Sequence, residues 1–192
     1  IIREVQQTGW RQTFPIAPVV RQSVDAIADQ VEGHSQQPSV SADGRFIVFS
    51  SLASDLVPDD DNAWRDIFVK DTWTGAVERI SVTNTGDQSN GPSYVPSISA
   101  DGNRIAFQSW ASNLVQNDRN DAADIFVFDR RTGDVQRISV NLDGDEANAN
   151  SLAPTISGDG RFVAFESTAA NLVAGDTNGA ADVFVVDLAT GL

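Results

Sequence analysis

Three loops of the sequence carry the same oxygen-bearing side chains, an aspartate, an asparagine two residues later and a second aspartate four residues after that. The three sets are Asp60, Asn62 and Asp66; Asp118, Asn120 and Asp124; and Asp176, Asn178 and Asp182. Calcium takes six to eight oxygens from carboxylates, amides, carbonyls and water. Such a site would order a long loop that has no core of its own, because an ion that binds only the folded state stabilises it.

The same residues also suit a polar turn without metal. Asn and Asp tolerate left-handed backbone conformations, and an Asp at the start of a strand can accept backbone N–H groups. Gly179 offers a sharp turn in the third loop, but Ala63 and Asp121 stand at the equivalent positions. The spacing is also shorter than that of the EF-hand loop. A structural calcium cofactor and a metal-free turn therefore both remain open at this point.

Other side chains offer little catalytic chemistry. His34 is the only histidine and the chain has no cysteine, so thiolate metal sites and cysteine catalysis are excluded. The sequence shows no nucleophile elbow, phosphate loop or zinc-binding spacing. Glu166 replaces Gln108 and Ser50 of the other repeats, and one carboxylate does not make a hydrolase. We therefore expect a protein that is not an enzyme.

The composition narrows the choice of partners. The chain of 192 residues carries a formal net charge of −14 and is 41% hydrophobic, which is enough for a packed core. Nucleic acid is an improbable partner because binding it requires a basic surface, and an anionic membrane surface is disfavoured for the same reason. No apolar run approaches the ~18 residues of a membrane span.

The elements that must position the loops belong to a repeat. Glycines 44, 102 and 160 lie 58 residues apart, as do the aspartates and phenylalanines that follow them, and no insertion breaks the period. Each unit shows four strand signals, with a tight Asp-Gly turn between the first two. The fourth alternates and has a polar face, which predicts a solvent-exposed strand at the outer edge. Four short strands per unit predict an all-β fold of propeller blades, and the unbroken period argues against a β-sandwich.

The motifs also resemble a known family. "PSISADGNRIAFQS" followed by "DIFVFDRRTGDVQRISV" is similar to the TolB-like propeller repeat, a relative of the WD-type repeats, over roughly residues 19–192. The long Asp/Asn-rich loops resemble an expanded version in exported bacterial proteins. The resemblance implies a periplasmic or extracellular location. It also implies a role as a docking platform or as an accessory domain beside an enzyme, since such propellers serve several functions.

The strand inventory predicts an open segment of three blades. We place the units at about 38–95, 96–153 and 154–192, with residues 19–24 as a closing fourth strand and residues 1–18 as an arm or degenerate strand. Three blades cannot close a ring, because propellers have four to eight. The chain is expected to be part of a longer propeller, one half of a six-bladed ring of two chains, or a filament subunit.

Residues that depart from the repeat indicate how partners could bind. Trp64 and Arg65 replace alanine pairs of the other units, and Trp73 and Trp110 likewise stand where the repeat has other residues. Exposed Trp and Arg often anchor protein interfaces, whereas Trp can also cover a neighbouring blade or stack on sugar. We expect a protein-interaction or self-assembly module that joins chains by blade completion. The alternative is a carbohydrate-binding or accessory domain of a larger secreted hydrolase.

Overall fold

The computed structural model describes residues 19–191, and its regular elements are all β-strands. The strands are β1 (Ser35–Val40), β2 (Phe46–Ser51), β3 (Asp66–Asp71), β4 (Val77–Arg79), β5 (Ser93–Ile98), β6 (Arg104–Ser109), β7 (Asp124–Asp129), β8 (Asp134–Arg137), β9 (Ser151–Ile156), β10 (Phe162–Ser167) and β11 (Asp182–Asp187). The predicted arm at residues 1–18 lies outside the described residues. No helix within residues 19–191 has the length and apolar character needed to span a membrane.

The strands form three antiparallel sheets in sequence order. Blade 1 contains β1 to β4 and blade 2 contains β5 to β8, while blade 3 has three described strands, β9 to β11. The predicted all-β fold of propeller-type blades is therefore confirmed. β4 and β8 are short and lie at the outer edges of their sheets, where the sequence placed the fourth strands.

The second and third strands of each blade are apolar on both faces, and those of blade 2 are buried because blade 2 packs between blades 1 and 3. In blade 1, Phe49 lies opposite Phe68 and their ring centroids are 6.1 Å apart. The equivalent pairs in blades 2 and 3 are both 5.8 Å apart. One buried cluster joins blades 1 and 2, and a second joins blades 2 and 3, so the core consists of inter-blade layers.

The first strand of each blade begins three residues before the predicted proline. A bulge makes this extension possible, and the bulged residues Gln37, Val95 and Ala153 have φ values of 56°, 50° and 52°. The following residue is a proline in every blade, which has no N–H to give to the ladder. The proline therefore marks the bulge and does not begin the strand.

A tight turn brings blade 2 against blade 1. Gly102 has φ +73°, and a β-carbon there would overlap the Cδ2 atom of Phe46. The Phe46 ring also has the guanidinium carbon of Arg130 4.0 Å from its centroid and that of Arg45 at 4.7 Å. The Phe46 ring is therefore enclosed by Gly102, Arg45 and Arg130 at the junction of the two blades.

The segment before β1 forms a turn that recurs between the blades. An isolated bridge joins Val24 to Gln30, and the same bridge joins Val82 to Gln88 and Val140 to Glu146. The Lys70 amine is buried and donates to the carbonyls of Val24 and Asp25 at 3.0 and 3.1 Å. These contacts fix the segment on the outer face of blade 1.

Candidate functional site

One end of the blades carries all three Asp-Asn-Asp loops. The loops between second and third strands are residues 52–65, 110–123 and 168–181, and the segments between blades are residues 80–92 and 138–150. Antiparallel strands bring the first and last residues of these five stretches to the same end of the sheets. We call this end the loop face.

In blades 1 and 2 the second aspartate of the set holds its loop through hydrogen bonds to other segments. The carboxylates of Asp66 and Asp124 have no solvent exposure. Asp66 accepts hydrogen bonds from Ser81 at 2.5 Å, Ser89 at 2.9 Å and the Asn62 amide at 2.8 Å. A buried carboxylate needs such donors to replace water. The aspartate therefore ties the loop to the end of the fourth strand and to the following segment.

The asparagine of each set makes an Asx turn. The Oδ1 atom of Asn62 accepts the backbone N–H of Trp64 at 2.8 Å, and the same bond recurs at Asn120 and Asn178 at 2.9 and 2.7 Å. The Asn62 Nδ2 atom donates to the Ser89 carbonyl at 3.2 Å as well as to Asp66. The amide oxygen thus stabilises the turn, and the amide nitrogen faces the carboxylate.

The first aspartate of blades 1 and 2 meets an arginine from the fourth strand. Arg79 lies 2.9 Å from Asp60. In blade 2, Arg137 lies 3.3 Å from Asp118, 3.5 Å from Asp124 and 3.0 Å from Glu146. The Arg137 side chain is only 8% exposed, and Asp118 is 5% exposed. One buried guanidinium therefore contacts three acidic side chains and offsets only part of their negative charge.

The pKa of Asp118 is raised even though an arginine lies beside its carboxylate. Desolvation raises the pKa of Asp118 to about 6, and the negative charge of Asp124 adds to the rise while Arg137 opposes it. Burial also raises the pKa values of Asp60 and Asp124. The acidic group in blade 2 therefore binds a proton more readily when the chain is folded.

This shift predicts a stability that increases as the pH falls from 7 to 5. The folded-state pKa of Asp118 exceeds its ordinary 3.8, so the folded chain binds more protons than the unfolded chain in that window. We expect Asp118→Asn to remove on the order of 1 kcal/mol of the pH-dependent gain in urea unfolding. Asp71, Asp129 and Asp187 have pKa values lowered to about 2 by arginine partners, so their stabilising contributions are lost only at lower pH.

The matched control for this pH series is Asp143→Asn, because Asp143 is exposed. That variant should keep the wild-type slope of unfolding free energy against pH. Equal slopes for wild type and Asp118→Asn would contradict the assignment of the proton to Asp118.

The arrangement in blades 1 and 2 does not fit a calcium ion. A guanidinium already lies against the carboxylates that calcium would need, and the asparagine turns its nitrogen toward the second aspartate. Within residues 19–191, no cluster of three or more His, Cys, Asp or Glu side chains is arranged to hold a metal. The contacts are those of the polar turn, and calcium stays a prediction that a titration can test.

We expect millimolar calcium or EDTA to shift the thermal midpoint of the chain by less than about 1 °C. A bound ion would stabilise the fold by RT ln(1 + [L]/Kd), which is about 2.7 kcal/mol at one hundred times Kd. The measurement is a pair of thermal unfolding curves, with magnesium as the control for ionic strength. A saturable rise with calcium alone would show that the loops bind the metal.

The third set has fewer partners than the other two. Asn178 donates to Asp182 at 3.0 Å and accepts from Ala180, as in the other blades. Within the described part of the chain, Asp176 and Asp182 contact no arginine or serine. Both are partly exposed, whereas Asp66 and Asp124 are buried. Among residues 19–191, the Asx turn of blade 3 therefore lacks the arginine and serine contacts of the other two blades.

Two of the predicted partner-binding tryptophans lie on the loop face, each beside the segment that joins blades 1 and 2. Trp64 is 47% exposed and Trp110 is 43% exposed. The segment between blades 1 and 2 connects them, because Ser93 N–H donates to the Arg65 carbonyl at 2.7 Å and Trp110 N–H donates to the Pro92 carbonyl at 3.0 Å. We call these two side chains the Trp64–Trp110 patch.

The other two predicted anchors lie elsewhere. Arg65 was expected to be exposed, and that expectation was wrong: the residue is 8% exposed. Its Nη1 atom donates to the His34 carbonyl at 3.0 Å, and its guanidinium carbon lies 5.9 Å from the centroid of Tyr94. Trp73 is 69% exposed, but it lies in the turn after β3, at the end opposite the loop face. Arg65 is therefore a structural residue.

Solved structures of other proteins share this architecture. The putative TolB from Agrobacterium tumefaciens aligns with a TM-score of 0.50 and 20% identity over 82% of this chain. The chain has a TolB-like β-propeller fold. TolB from Acinetobacter baumannii aligns at 0.49 with 21% identity over 83% of the chain. An acylaminoacyl peptidase from Pyrococcus horikoshii aligns at 0.50 with 13% identity over 84%.

The likeness is one of fold alone. The TolB-like segment spans 46% of the Agrobacterium chain, 31% of the Acinetobacter chain and 24% of the peptidase chain. No protein-family model and no curated protein sequence matches it. A function for this propeller therefore has to be argued from its own side chains.

Sequence reasoning missed the partners of the acidic loops in this TolB-like propeller. Arg79 and Ser81 come from the stretch "RISV", and Arg137 and Ser139 come from its repeat. The repetition of arginine and serine in the fourth strands was a usable signal. A strand exposed to solvent does not require the same two residues in successive repeats. The alternating pattern was assigned to solvent, whereas the polar side chains reach the neighbouring loop.

Proposed function

We propose that this TolB-like propeller is a non-enzymatic module that binds a protein partner at its loop face. The observation that carries the proposal is the Trp64–Trp110 patch. Its two tryptophans stay about half exposed although they stand at the junction of two blades. Trp is among the residues that contribute most to protein interfaces.

The patch is held in place before any partner arrives. The Asx turn at Asn62 fixes the backbone of Trp64, and the Trp110 N–H bonds to Pro92. The Trp110 carbonyl lies so close to Gly91 that a β-carbon there would approach it to 2.9 Å. A surface that is already ordered loses less conformational entropy when it binds.

The negative charge around the Trp64–Trp110 patch indicates which kind of partner surface would be complementary to it. Asp59 and Asp61 are exposed in the same loop as Trp64, and the whole chain carries a net charge of −14. A complementary surface would offer an apolar pocket for the two rings with Lys or Arg at its rim. Rim charges mainly raise the association rate, so binding should weaken at high salt.

The proposed absence of catalysis is supported by the position of His34. The only histidine is exposed, and its ring makes no hydrogen bond to any residue from 19 to 191. A nucleophile needs such a base within hydrogen-bond reach. A location in the periplasm or outside the cell belongs to the same proposal and rests on the TolB-like resemblance.

We expect the double variant Trp64→Ala/Trp110→Ala to lose partner binding by at least about tenfold, since each interface anchor is typically worth 2 kcal/mol or more. The measurement uses the immobilised chain with extracts of its source and counts proteins retained in proportion to bait. Trp73→Ala is the matched control, because it removes an exposed tryptophan from the opposite end. Equal retention by the wild type and the double variant would overturn the proposal.

A second candidate is an accessory or carbohydrate-binding role beside a secreted hydrolase. The fold likeness to a short part of a peptidase chain favours it, since a propeller segment there belongs to a larger enzyme. Sugars stack on tryptophan, so soluble oligosaccharides should then quench Trp fluorescence with a saturable midpoint. Quenching that disappears in Trp64→Ala/Trp110→Ala would favour this candidate over a protein partner.

A further inference from the structure

A polar cavity of about 170 Å³ lies at the end of the blades opposite the loop face, where blade 2 meets blade 3. Its lining comes from the stretches after β5 and β7 in blade 2 and from the turn after β9 in blade 3. The lining residues are Asp101, Asn103, Arg104, Arg131, Asp159 and Gly160. None of them belongs to the Trp64–Trp110 patch, so the cavity is a separate candidate site.

Two departures from the repeat distinguish this junction from the one between blades 1 and 2. There, Phe46 packs so closely on Gly102 that a β-carbon at Gly102 would overlap its ring, and Trp73 stands in the turn after β3. The residues 58 positions after Phe46 and Trp73 are Arg104 and Arg131. Arginine side chains therefore line the cavity at positions where the first junction has aromatic rings.

The two arginines of the cavity share one carboxylate. Asp129 accepts from Arg104 Nε at 3.4 Å and from Nε and Nη2 of Arg131 at 3.1 and 2.8 Å. The equivalent aspartates, Asp71 and Asp187, each pair with a single arginine of the described chain. Among residues 19–191, Arg104 Nη2 and Arg131 Nη1 donate to no protein atom. Each arginine therefore keeps N–H groups for a ligand.

Two aspartates also line the cavity. Both oxygens of Asp101 already accept hydrogen bonds within their own turn. The Oδ1 atom of Asp159 accepts from the Ser157 hydroxyl and the Arg161 N–H, whereas its Oδ2 atom accepts from no residue between 19 and 191. The hydrogen bond from Ser157 lowers the pKa of Asp159, so this carboxylate is ionised at neutral pH. Its Oδ2 atom is therefore available to a cationic donor.

The charges around the cavity favour a ligand that carries both signs. Arg104 and Arg131 lie beside three carboxylates, those of Asp101, Asp129 and Asp159, so a simple anion would be repelled by the excess negative charge. A simple cation would in turn meet the N–H groups of the two arginines. A zwitterion offers an acceptor to the arginines and a donor to the aspartate, and it adds no net charge.

We propose that the cavity binds a small α-amino acid in its zwitterionic form. The carboxylate of the amino acid accepts N–H groups from Arg104 Nη2 and Arg131 Nη1, and its ammonium group donates to Asp159 Oδ2. Guanidinium N–H groups match carboxylate oxygens in geometry as well as in charge. At about 30 Å³ per water molecule, the cavity has room for roughly five or six non-hydrogen atoms, the size of glycine or alanine. This inference goes beyond the proposed protein-binding function and does not depend on it.

Amide chemical shifts measure this binding directly. We expect L-alanine added to the 192-residue chain to shift the amides of residues 101–104, 130–133 and 159–161 along a saturable curve. The Kd should be roughly millimolar, since so small a ligand makes few contacts. Propionate and ethylammonium each lack one charged group of alanine. Both should bind at least about tenfold more weakly at the same ionic strength, because a hydrogen bond between charged groups is lost.

Arg104→Phe tests the anionic half of the site. Phenylalanine is the residue that blade 1 has at this position, so its ring should pack on Gly160 as Phe46 packs on Gly102. The ring then fills part of the cavity and the variant has one guanidinium fewer for the carboxylate. Alanine should bind at least about tenfold more weakly than to the wild type.

Asp159→Asn tests the cationic half of the site. Asparagine keeps an oxygen for the Ser157 and Arg161 contacts but removes the negative charge that the ammonium group needs. Alanine should bind at least about tenfold more weakly, whereas propionate should bind no more weakly than to the wild type. Asp43→Asn is the matched control, because Asp43 makes the same turn in blade 1 and should leave alanine binding unchanged.

The inference would be overturned by cavity amides that do not shift with alanine, by propionate or ethylammonium that binds as tightly as alanine, or by wild-type affinity for alanine in either folded variant. The dispersion of the amide spectrum shows whether each variant is folded, and Asp159→Asn decides the question if Arg104→Phe does not fold. The Trp64→Ala/Trp110→Ala variant should bind alanine as the wild type does. Failure of this inference and failure of the proposed function are therefore distinguishable.

Discussion

Replacing Arg137 with alanine is expected to lower the free energy of unfolding by about 3–5 kcal/mol, as does the removal of one partner from a buried ion pair. The guanidinium is the only described cation within 4 Å of Asp118, Asp124 and Glu146. Without it, two almost fully buried carboxylates and a third acidic group repel one another in a region of low dielectric. Equilibrium urea unfolding at pH 7 measures the loss.

The loss should depend on pH in a way that identifies its cause. Protonation of the acidic group removes the repulsion, so the Arg137→Ala variant should recover part of its stability when the pH falls from 7 to 5. Arg131→Ala is the matched control, since Arg131 is 58% exposed and pairs with Asp129 at 2.8 Å. An exposed pair contributes less than about 1 kcal/mol. Similar losses for both variants would contradict the burial argument.

Replacing Gly102 with alanine is expected to cost about 3 kcal/mol. Part of this cost is the positive φ of +73°, which is unfavourable by roughly 1–2 kcal/mol for a residue with a β-carbon. The rest comes from the overlap with Phe46, since an added methyl in a tight core costs about 1–3 kcal/mol. Arg45 and Arg130 flank the Phe46 ring, so the ring cannot swing away freely.

The repeat supplies controls for this substitution. Gly44 has the same φ of +73° and nothing within 4 Å of its added β-carbon, so Gly44→Ala should show the backbone cost alone. Gly160 is intermediate, because Ser99 Cβ would lie 3.3 Å away. Thermal and urea unfolding should rank the losses as Gly102, then Gly160, then Gly44. Equal losses at the three positions would show that the Phe46 contact carries no strain.

The architecture could be predicted from the sequence because the period of 58 residues and the pattern of turns are both local signals. The pairing of Phe49 with Phe68, for example, follows from an apolar second strand joined to an apolar third strand. The bulges at Gln37, Val95 and Ala153 were not predictable in the same way, since only the following proline hints at them. A positive φ at Val95 is held by its surroundings, against its own preference.

The sequence predicted which residues form the acidic loops but not which groups those residues bind. The asparagine and the second aspartate do meet within each loop. Their cation in blades 1 and 2 is an arginine from the strand that was assigned to solvent. The expectation for Arg65 was wrong for a related reason, since its loop position suggested exposure. Its carbonyl in fact accepts from the Ser93 N–H, and its guanidinium donates to the His34 carbonyl. Tertiary partners of long side chains are not encoded in spacing.

The contacts between blades also bear on how such a chain grows. Asn113 of blade 2 donates to the Gln88 carbonyl and accepts from Asn90, and Asn171 of blade 3 makes both bonds again with Glu146 and Asn148. Blades 2 and 3 thus each supply an asparagine side chain that binds the backbone of the segment before it. The segments after blades 1 and 2 supply the backbone groups that bind the next asparagine. A duplication of 58 residues inserts both together, so the number of blades can change by recombination without leaving a mismatched joint.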